Sequence, residues 1–176
     1  INVMAYVRGH KGDYDRWAAN GAAGWSYADV LPYFRRMESW EHGDDNWRGG
    51  EGPLHTQSAK SDDPLWEAWV EAGNAMGLGY TEDYNGEKQE GLGRSQSTIH
   101  EGRRHSAATA FLRPALRRGN VTLQDSTYVT RVEMEGNRAT GVAYSRLGKT
   151  EIVHAAKEVI LSGGVFNTPQ LLMLSG

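Results

Sequence analysis

The chain has 176 residues, of which 39% are hydrophobic and 23% are charged, and its formal net charge is −3. This length suffices for a hydrophobic core, and the slightly acidic balance argues against a nucleic-acid-binding protein, which concentrates Lys and Arg. No apolar run approaches the roughly 20 residues of a membrane span. Because cysteine is absent, disulfides, thiolate zinc sites and iron–sulfur clusters are excluded from this chain.

The first third of the chain predicts a strand, two helices and a loop. Residues 2–7 (NVMAYV) have the apolar composition of a strand. A short helix is predicted in GDYDRWAANG with Asp13 as its N-cap, and a longer one in SYADVLPYFRRMESW with Ser26 as its N-cap and Pro32 as a restart or kink. Residues 42–52 (HGDDNWRGGEG) have no periodicity and predict a mobile surface loop or lid.

The middle third predicts short strands and two further helices. GPLHT is a candidate strand, and DDPLWEAWVEAGNAMG is a candidate helix with Asp63 as N-cap and Pro64 at its first position. The apolar face of this helix is predicted to consist of Leu65, Trp69, Ala72 and Met76. Another strand is expected within residues 90–98, followed by a helix that Ser106 caps and Pro114 ends early.

Beyond Asn120 the hydrophobic pattern changes to a period of two. The segments VTLQD, YVTRVEMEG, ATGVAYSR and TEIVHA predict four short strands joined by tight turns. Residues 158–162 predict a fifth strand, apolar enough to lie inside a sheet, and a helix follows it. The mixed order of strands and helices predicts the fold class α/β with mixed α+β character, rather than a helix bundle or a plain sandwich.

Few of the polar residues form a pattern that indicates chemistry. His100 and His105 are separated by a Gly-Arg-Arg turn, which does not place them on one helix face, so no metal site is predicted. GLGRSQS resembles a dinucleotide loop, but no helix follows it, and we interpret it as a strand with glycines. At Ser162, Gly163 and Gly164 a strand passes through a glycine pair into a helix. Such a turn lets a ligand approach unpaired N–H groups at a helix N-terminus.

Six stretches of the chain, taken together, resemble one enzyme family. They are INVMAYVRGHKGDYDRW, WSYADVLPYFRRME, GEGPLHT, NGEKQEGLG, HEGRRHSAATAFLRPAL and SGGVFNTPQLLMLSG. In this order they resemble the glucose-methanol-choline (GMC) family of FAD oxidoreductases. Their sequences are most similar to those of members that oxidise choline. Val165 and Phe166 depart from the family's last motif, where Ala and an aliphatic residue are usual.

The resemblance implies a small set of cofactor-binding residues. Asn2 and Val3 match a family segment whose backbone passes beside the flavin ring, and Val129 matches the valine whose backbone pairs with the adenine edge. The residues Ser162, Gly163 and Gly164 match the turn beside the adenosine and pyrophosphate. Ile1 stands where some members carry a histidine bonded covalently to the cofactor, so non-covalent FAD is expected.

The resemblance also implies how the chain is divided and what it lacks. Residues 1–49 are expected to form a flavin-flanking segment with helices and a lid-like loop, residues 50–118 part of the substrate-binding domain, and residues 119–176 the return of the FAD-binding domain. The family's dinucleotide loop and catalytic histidine have no counterpart in this sequence, so no catalytic residue is predicted here. The chain is expected to be an internal fragment that is inactive alone.

The function implied is the transfer of hydride from an alcohol to FAD, with choline, oxidised to betaine aldehyde, as the first expectation. The implied partners are a small alcohol and an electron acceptor, without nucleic acid; membrane association is open, and the compartment is expected to be the cytoplasm or the surface of an inner membrane. Two alternatives remain. The substrate is another primary alcohol, or the chain is a non-catalytic binding module, since no acid–base pair stands out in it.

Overall fold

The structure is a computed structural model that describes residues 2–176, with only the backbone of Asn2. The chain forms two compact units, Ile1–Val121 (unit 1) and Thr122–Gly176 (unit 2), and each contains both helix and strand. The predicted mixture of helices and strands is confirmed.

Unit 1 combines four α-helices with small sheets. The helices are α1 (Lys11–Ala19), α2 (Tyr27–Met37), α3 (Leu65–Ala75) and α4 (Arg113–Arg117); the strands are β1 (Glu38–Trp40), β2 (Leu54–Ser58), β3 (Gln96–Ser97), β4 (Ile99–His100) and β5 (Arg103–Arg104). Strand β2 lies between β1, to which it is parallel, and β3, to which it is antiparallel. Strands β4 and β5 form a separate hairpin. A small apolar core joins Tyr6, Leu54 and Ala110, with Met37 packed against it.

The strand predicted over residues 2–7 is wrong. Asn2–Met4 form a 3-10 turn, and the only ladder contact of the segment is the single antiparallel bridge between Ala5 and Ser97. The reason is conformational: Val3 and Met4 both have positive φ angles, which are incompatible with an extended strand.

The first two helices begin with different capping groups. Helix α1 is capped by the imidazole of His10, which accepts a hydrogen bond from the N–H of Gly12 at 3.1 Å, rather than by Asp13, which lies in the first turn. Helix α2 begins as predicted: Ser26 and Asp29 form a reciprocal capping box. The helix continues through Pro32 and ends at Met37, where β1 begins.

Replacing Ser26 by alanine should destabilise unit 1 by about 1 kcal/mol, because the N–H of Asp29 loses its acceptor and the Asp29 carboxylate loses the hydroxyl donor. Ser26→Asn should retain most of the stability, since Asn is an equally good N-cap. Urea unfolding followed by tryptophan fluorescence measures the difference, because all six tryptophans lie in unit 1. Equal midpoints for the alanine variant and the unmodified chain would contradict the prediction.

The loop predicted to be a mobile surface segment or lid is anchored in its second half. Arg48 is fully buried, and Gly49 is buried beside it. The carbonyl of Gly49 accepts a hydrogen bond from the N–H of Trp40 in β1 at 2.7 Å, and the Asp45 carboxylate accepts from the N–H of Arg48 at 2.6 Å. Composition did not indicate this burial, because a charged, glycine-rich stretch is usually solvated.

Helix α3 packs through a glycine rather than through its large apolar residues. Asp63 accepts a hydrogen bond from the N–H of Leu65 at 3.0 Å. It therefore caps the helix as predicted, although the N-cap position itself is occupied by Pro64. Gly73 is the buried residue of α3, and the side chain of Leu92 fills the space that a Cβ on Gly73 would need. The predicted apolar face is exposed at Leu65, Trp69 and Met76.

The segment from Glu90 to Arg117 also differs from its prediction. The strand expected over residues 90–98 is reduced to β3 and one bridge between Tyr80 and Leu92. Ser106 caps the next helix as predicted, with its hydroxyl accepting from the N–H of Thr109 at 3.3 Å. This helix opens with a π-helical turn, Ala108–Leu112, and continues into α4. Pro114 therefore lies where the π-helical turn passes into α4, and it does not end the helix.

Unit 2 is a three-stranded antiparallel meander with one helix. Its elements are β6 (Tyr128–Glu135), β7 (Arg138–Arg146), β8 (Lys149–His154) and α5 (Gly164–Met173). The three strands are confirmed, and the β7–β8 turn has positive φ at both Leu147 and Gly148, as a tight hairpin requires. The strands predicted at 121–125 and 158–162 are absent. Within the residues described, neither segment has a neighbouring strand with which to pair.

Candidate functional site

Three of the predicted cofactor-binding residues line one cleft in unit 2. Val129 on β6, with Ser162 and Gly163 before α5, borders a cavity of about 680 Å3. Its walls are largely aliphatic and include Val142, Val153, Leu161, Leu171 and Leu174. Cavities of this size and lining are typical of sites for small organic ligands.

The cleft is maintained by a contact between α5 and the sheet. The hydroxyl of Ser175 accepts a hydrogen bond from the N–H of Val132 at 2.9 Å and donates to the carbonyl of Leu171 at 2.6 Å. Val132 is buried in β6 and pairs with Val142 of β7. The end of α5 is therefore held against the sheet, and the cleft lies between them.

The glycine pair at the start of α5 has two different roles. Gly164 has φ +90°, a conformation that side-chain-bearing residues rarely adopt. The N–H of Gly163 donates to the hydroxyl of Thr168 at 3.0 Å, and its carbonyl accepts from the Asn167 amide at 3.1 Å. The N–H of Gly163 is therefore already paired. The N–H groups in the first turn of α5 have no intrahelical partner because of their position, and no side-chain hydrogen bond caps the helix.

The other two predicted residues, Asn2 and Val3, lie in unit 1. Val3 has φ 53° and is 84% exposed, and Met4 follows with φ 64°. Positive φ is strained for a β-branched residue, and such strain concentrates at functional sites. Ile1, on which the expectation of non-covalent FAD rests, lies outside the described residues.

The backbone after this strained turn is held rigidly from two sides. The N–H of Thr98 donates to the carbonyl of Met4 at 2.9 Å, and the N–H of Tyr6 donates to the carbonyl of Gln96 at 2.8 Å. On the other side, the buried amide of Asn85 donates to the carbonyl of Tyr6 at 3.0 Å. Hydrogen bonds at Met4 and Tyr6 therefore hold the backbone that follows the turn at Val3.

A buried ionic network begins at Arg8, two residues after Tyr6. Glu38 accepts a hydrogen bond from Arg8 at 2.6 Å and two from Arg48, one of them at 3.0 Å, and Arg48 also donates to Asp83 at 2.8 Å. Burial raises the pKa of the Asp83 carboxyl, but hydrogen bonds from Gln96 and Arg48 outweigh it and hold that pKa below its usual value. The network ties four parts of the chain together: the segment after the strained turn, β1, the loop of residues 42–52, and the segment that contains Asp83.

The arrangement of these residues can be compared with known proteins. The family model described as GMC oxidoreductase matches residues 1–176, the whole chain. The chain belongs to the GMC oxidoreductase family. Members of this family are flavoproteins that use FAD.

The similar proteins are longer than this GMC chain. An oxygen-dependent choline dehydrogenase of Sinorhizobium medicae is 54% identical over all 176 residues, which cover 32% of that protein. An FAD-dependent oxidoreductase from Chaetomium thermophilum has the same fold with a TM-score of 0.89 at 32% identity, over the whole chain and 33% of the structure. For pyridoxine 4-oxidase from Mesorbium loti the TM-score is 0.86 at 33% identity, over 98% of this chain and 34% of that one. The chain spans about a third of the length of the curated relatives it matches.

The sequence did not predict several polar residues of the GMC chain that the fold brings into the cleft. His154, Glu158, Asn167 and Thr168 all line it. The Asn-Thr-Pro run at the start of α5 was the available signal, because Asn and Thr readily bond backbone groups at helix starts.

A cluster of three histidines was also missed. The spacing of His100 and His105 argued against a shared helix face, but the β4–β5 hairpin brings both beside His55 of β2. Among the residues described, no group of three His, Asp or Glu side chains has the geometry of a metal site. Within residues 2–176, no helix is long and apolar enough to cross a membrane.

Proposed function

We propose that this chain forms part of the FAD-binding region and part of the substrate side of a flavoprotein oxidoreductase that acts on CH–OH groups, with choline as the substrate. The observation that carries the proposal is the match to the GMC family over all 176 residues. The identity of 54% to a choline dehydrogenase over the same span supports the choice of substrate.

The unit 2 cleft supports binding of the adenosine part of FAD. Its aliphatic walls, among them Val129 and Leu161, suit the flat faces of an adenine ring. The hydroxyl of Ser162 and the carboxylate of Glu158 stand at the same cleft and suit ribose hydroxyl groups. The N–H groups at the start of α5, from Gly164 onward, suit an anionic phosphate.

In unit 1, Asn2 and Val3 are proposed to contact the flavin ring through their backbone. FAD, when bound, would accept the hydride that the alcohol carbon loses. The residues of this chain would bind and orient the cofactor, and the proton of the alcohol would be taken by a group that we do not assign to residues 2–176. The aliphatic side chain of Ile1 has no nucleophilic atom, so the cofactor is proposed to be held without a covalent bond.

We further propose that residues 119–176 and the start of the chain serve the FAD-binding region, while residues 50–118 serve the substrate side. The boundary between the compact units at Val121 and Thr122 supports this division. The partners are then a small alcohol and an electron acceptor. Another primary alcohol in place of choline is the second candidate, because the similar pyridoxine 4-oxidase is named for a different substrate.

A chimera tests the proposal directly: residues 1–176 replace the matching segment of the Sinorhizobium medicae choline dehydrogenase. We expect a yellow protein that releases its flavin on acid precipitation and oxidises choline with an artificial electron acceptor. Val129→Trp should raise the dissociation constant for FAD by about tenfold or more, because the indole would occupy the cleft.

Lys149→Trp is the matched control, because Lys149 is exposed at the start of β8 and does not line the cleft. It should leave the affinity for FAD unchanged. A folded chimera that binds no flavin would overturn the proposed function. Flavin that stays with the precipitate would overturn only the non-covalent attachment, and preference for another alcohol over choline would overturn only the substrate.

A further inference from the structure

Three imidazole rings are packed together on the surface of unit 1. The rings of His55 and His100 are stacked with a centroid distance of 3.7 Å and an interplanar angle of 17°. The ring of His105 stands on edge to both, with centroids 5.0 Å from His55 and 5.6 Å from His100. Each protonation in such a group places a positive charge within a few ångströms of two other titratable rings.

The cluster joins a small hairpin to the central strand of a sheet. His55 lies in β2, and His100 lies in β4. The β4–β5 hairpin turns tightly at Glu101 and Gly102, which both have positive φ, and the N–H of His105 then donates to the carbonyl of Thr98 at 2.8 Å. This hydrogen bond lies within the hairpin segment. The hairpin contacts β2 through the imidazole rings.

One hydrogen bond in the cluster depends on the absence of a proton. The backbone N–H of His55 donates to Nδ1 of the His105 ring at 3.2 Å. Nδ1 accepts only while it is unprotonated, so the neutral ring carries its hydrogen on Nε2. A second proton on His105 would turn Nδ1 into a donor that faces another donor, and the bond would be lost.

The charged groups around the cluster are few. The carboxylate of Glu101 lies 4.0 Å from Nε2 of His100 and offsets a positive charge there. Arg103 and Arg104 of β5 pair with His100 and Ile99 and add positive charge to the same hairpin. Ser39, the partner of His55 in β1, is uncharged, and the π-helical turn Ala108–Leu112 packed against β2 carries no titratable residue.

The surroundings lower the pKa of two of the rings. Burial and the neighbouring His100 and His105 lower the pKa of His55, while Glu101 opposes this in part. Burial and His100 lower the pKa of His105. A hairpin that has moved away from β2 therefore binds more protons than the packed one, so the packed state is fully favoured above about pH 6.5, the ordinary histidine value, and loses stability as the pH falls below it.

We propose that His55, His100 and His105 form a proton-sensitive latch, in which acidification releases the β4–β5 hairpin from β2. The geometry disfavours a metal site as the role of these rings. Stacked rings direct their nitrogen lone pairs along parallel planes instead of toward one point, and Nδ1 of His105 is already engaged.

Amide hydrogen exchange of the 176-residue chain between pH 8 and pH 5 tests the proposal, in a range where ordinary carboxylates stay ionised. We expect the protection factor of the His55 amide to fall by about tenfold between these limits, while those in unit 2 stay constant. His105→Asn retains an acceptor for the His55 N–H but does not titrate, so most of the pH dependence should disappear. His42→Gln, at an exposed histidine outside the cluster, is the matched control and should leave the profile unchanged.

A second readout does not depend on any variant. Imidazole NMR shifts of the unmodified chain should show His55 and His105 titrating below the ordinary histidine value, with the hairpin amides changing in parallel. Protection factors that do not vary with pH, or hairpin changes that persist in His105→Asn, would overturn the proposal. Stabilisation of the cluster by added Zn2+ at neutral pH would also overturn it, in favour of a metal site.

Discussion

Replacing Glu38 by glutamine should destabilise unit 1 by about 3–5 kcal/mol, which approaches the whole stability of many domains. Glu38 has no exposed surface and is the shared acceptor of Arg8 and Arg48, so the neutral amide leaves two buried guanidinium groups without their main counter-charge. Asp83 remains beside Arg48 and compensates only that one charge. Urea unfolding monitored by tryptophan fluorescence reports on unit 1 alone and measures the loss.

Asp44→Asn is the matched control, because it removes an exposed ion pair to Arg35 and should change stability by less than about 1 kcal/mol. A double variant, Glu38→Gln with Arg48→Met, should be less destabilised than the sum of the single variants, since one of the uncompensated charges has gone. If Glu38→Gln unfolds at the same urea concentration as Asp44→Asn, the network does not hold unit 1 together.

Replacing Gly49 by alanine should cost about 3 kcal/mol and free the loop of residues 42–52 from β1. A Cβ on Gly49 would overlap the carbonyl oxygen of Arg35 and lie 2.6 Å from its carbonyl carbon, so the main chain of α2 or of the loop must move. That displacement pulls on Arg48, the neighbouring residue, and weakens its hydrogen bonds to Glu38. Hydrogen exchange at Trp40 and Gly52, whose N–H groups bond across the loop, shows whether the loop has detached.

Gly43→Ala is the control within the same loop. Gly43 has φ +88° but nothing within 4 Å of a Cβ, so only the cost of the left-handed conformation, about 1 kcal/mol, is expected. A mobile lid would tolerate both substitutions about equally. Equal effects of the two variants would therefore favour the lid predicted from composition over the anchored loop.

The sequence predicted the local structure well wherever the deciding interaction lies within a few residues. The Ser26 capping box involves two residues that are three positions apart, and the strands of unit 2 alternate in hydrophobicity between turns at Gly136 and Gly148. Sequence similarity along the whole chain also pointed to the GMC family, and to Val129, Ser162 and Gly163, which line one cleft. Their contact with FAD remains a proposal.

Only the tertiary structure decided which charged and apolar residues are buried. Glu38 and Arg48 have the sequence context of solvated residues, yet partners between 10 and 48 positions away bury them completely. Helix α3 has an apolar stripe, yet it packs through Gly73 because Leu92, nineteen positions further along, fills the space above that glycine. The histidine cluster likewise depends on packing between β2 and a hairpin some 45 residues later. A periodic pattern records which face of an element is apolar; the free energy of burying a charge depends on partners that only the folded chain brings within hydrogen-bond distance.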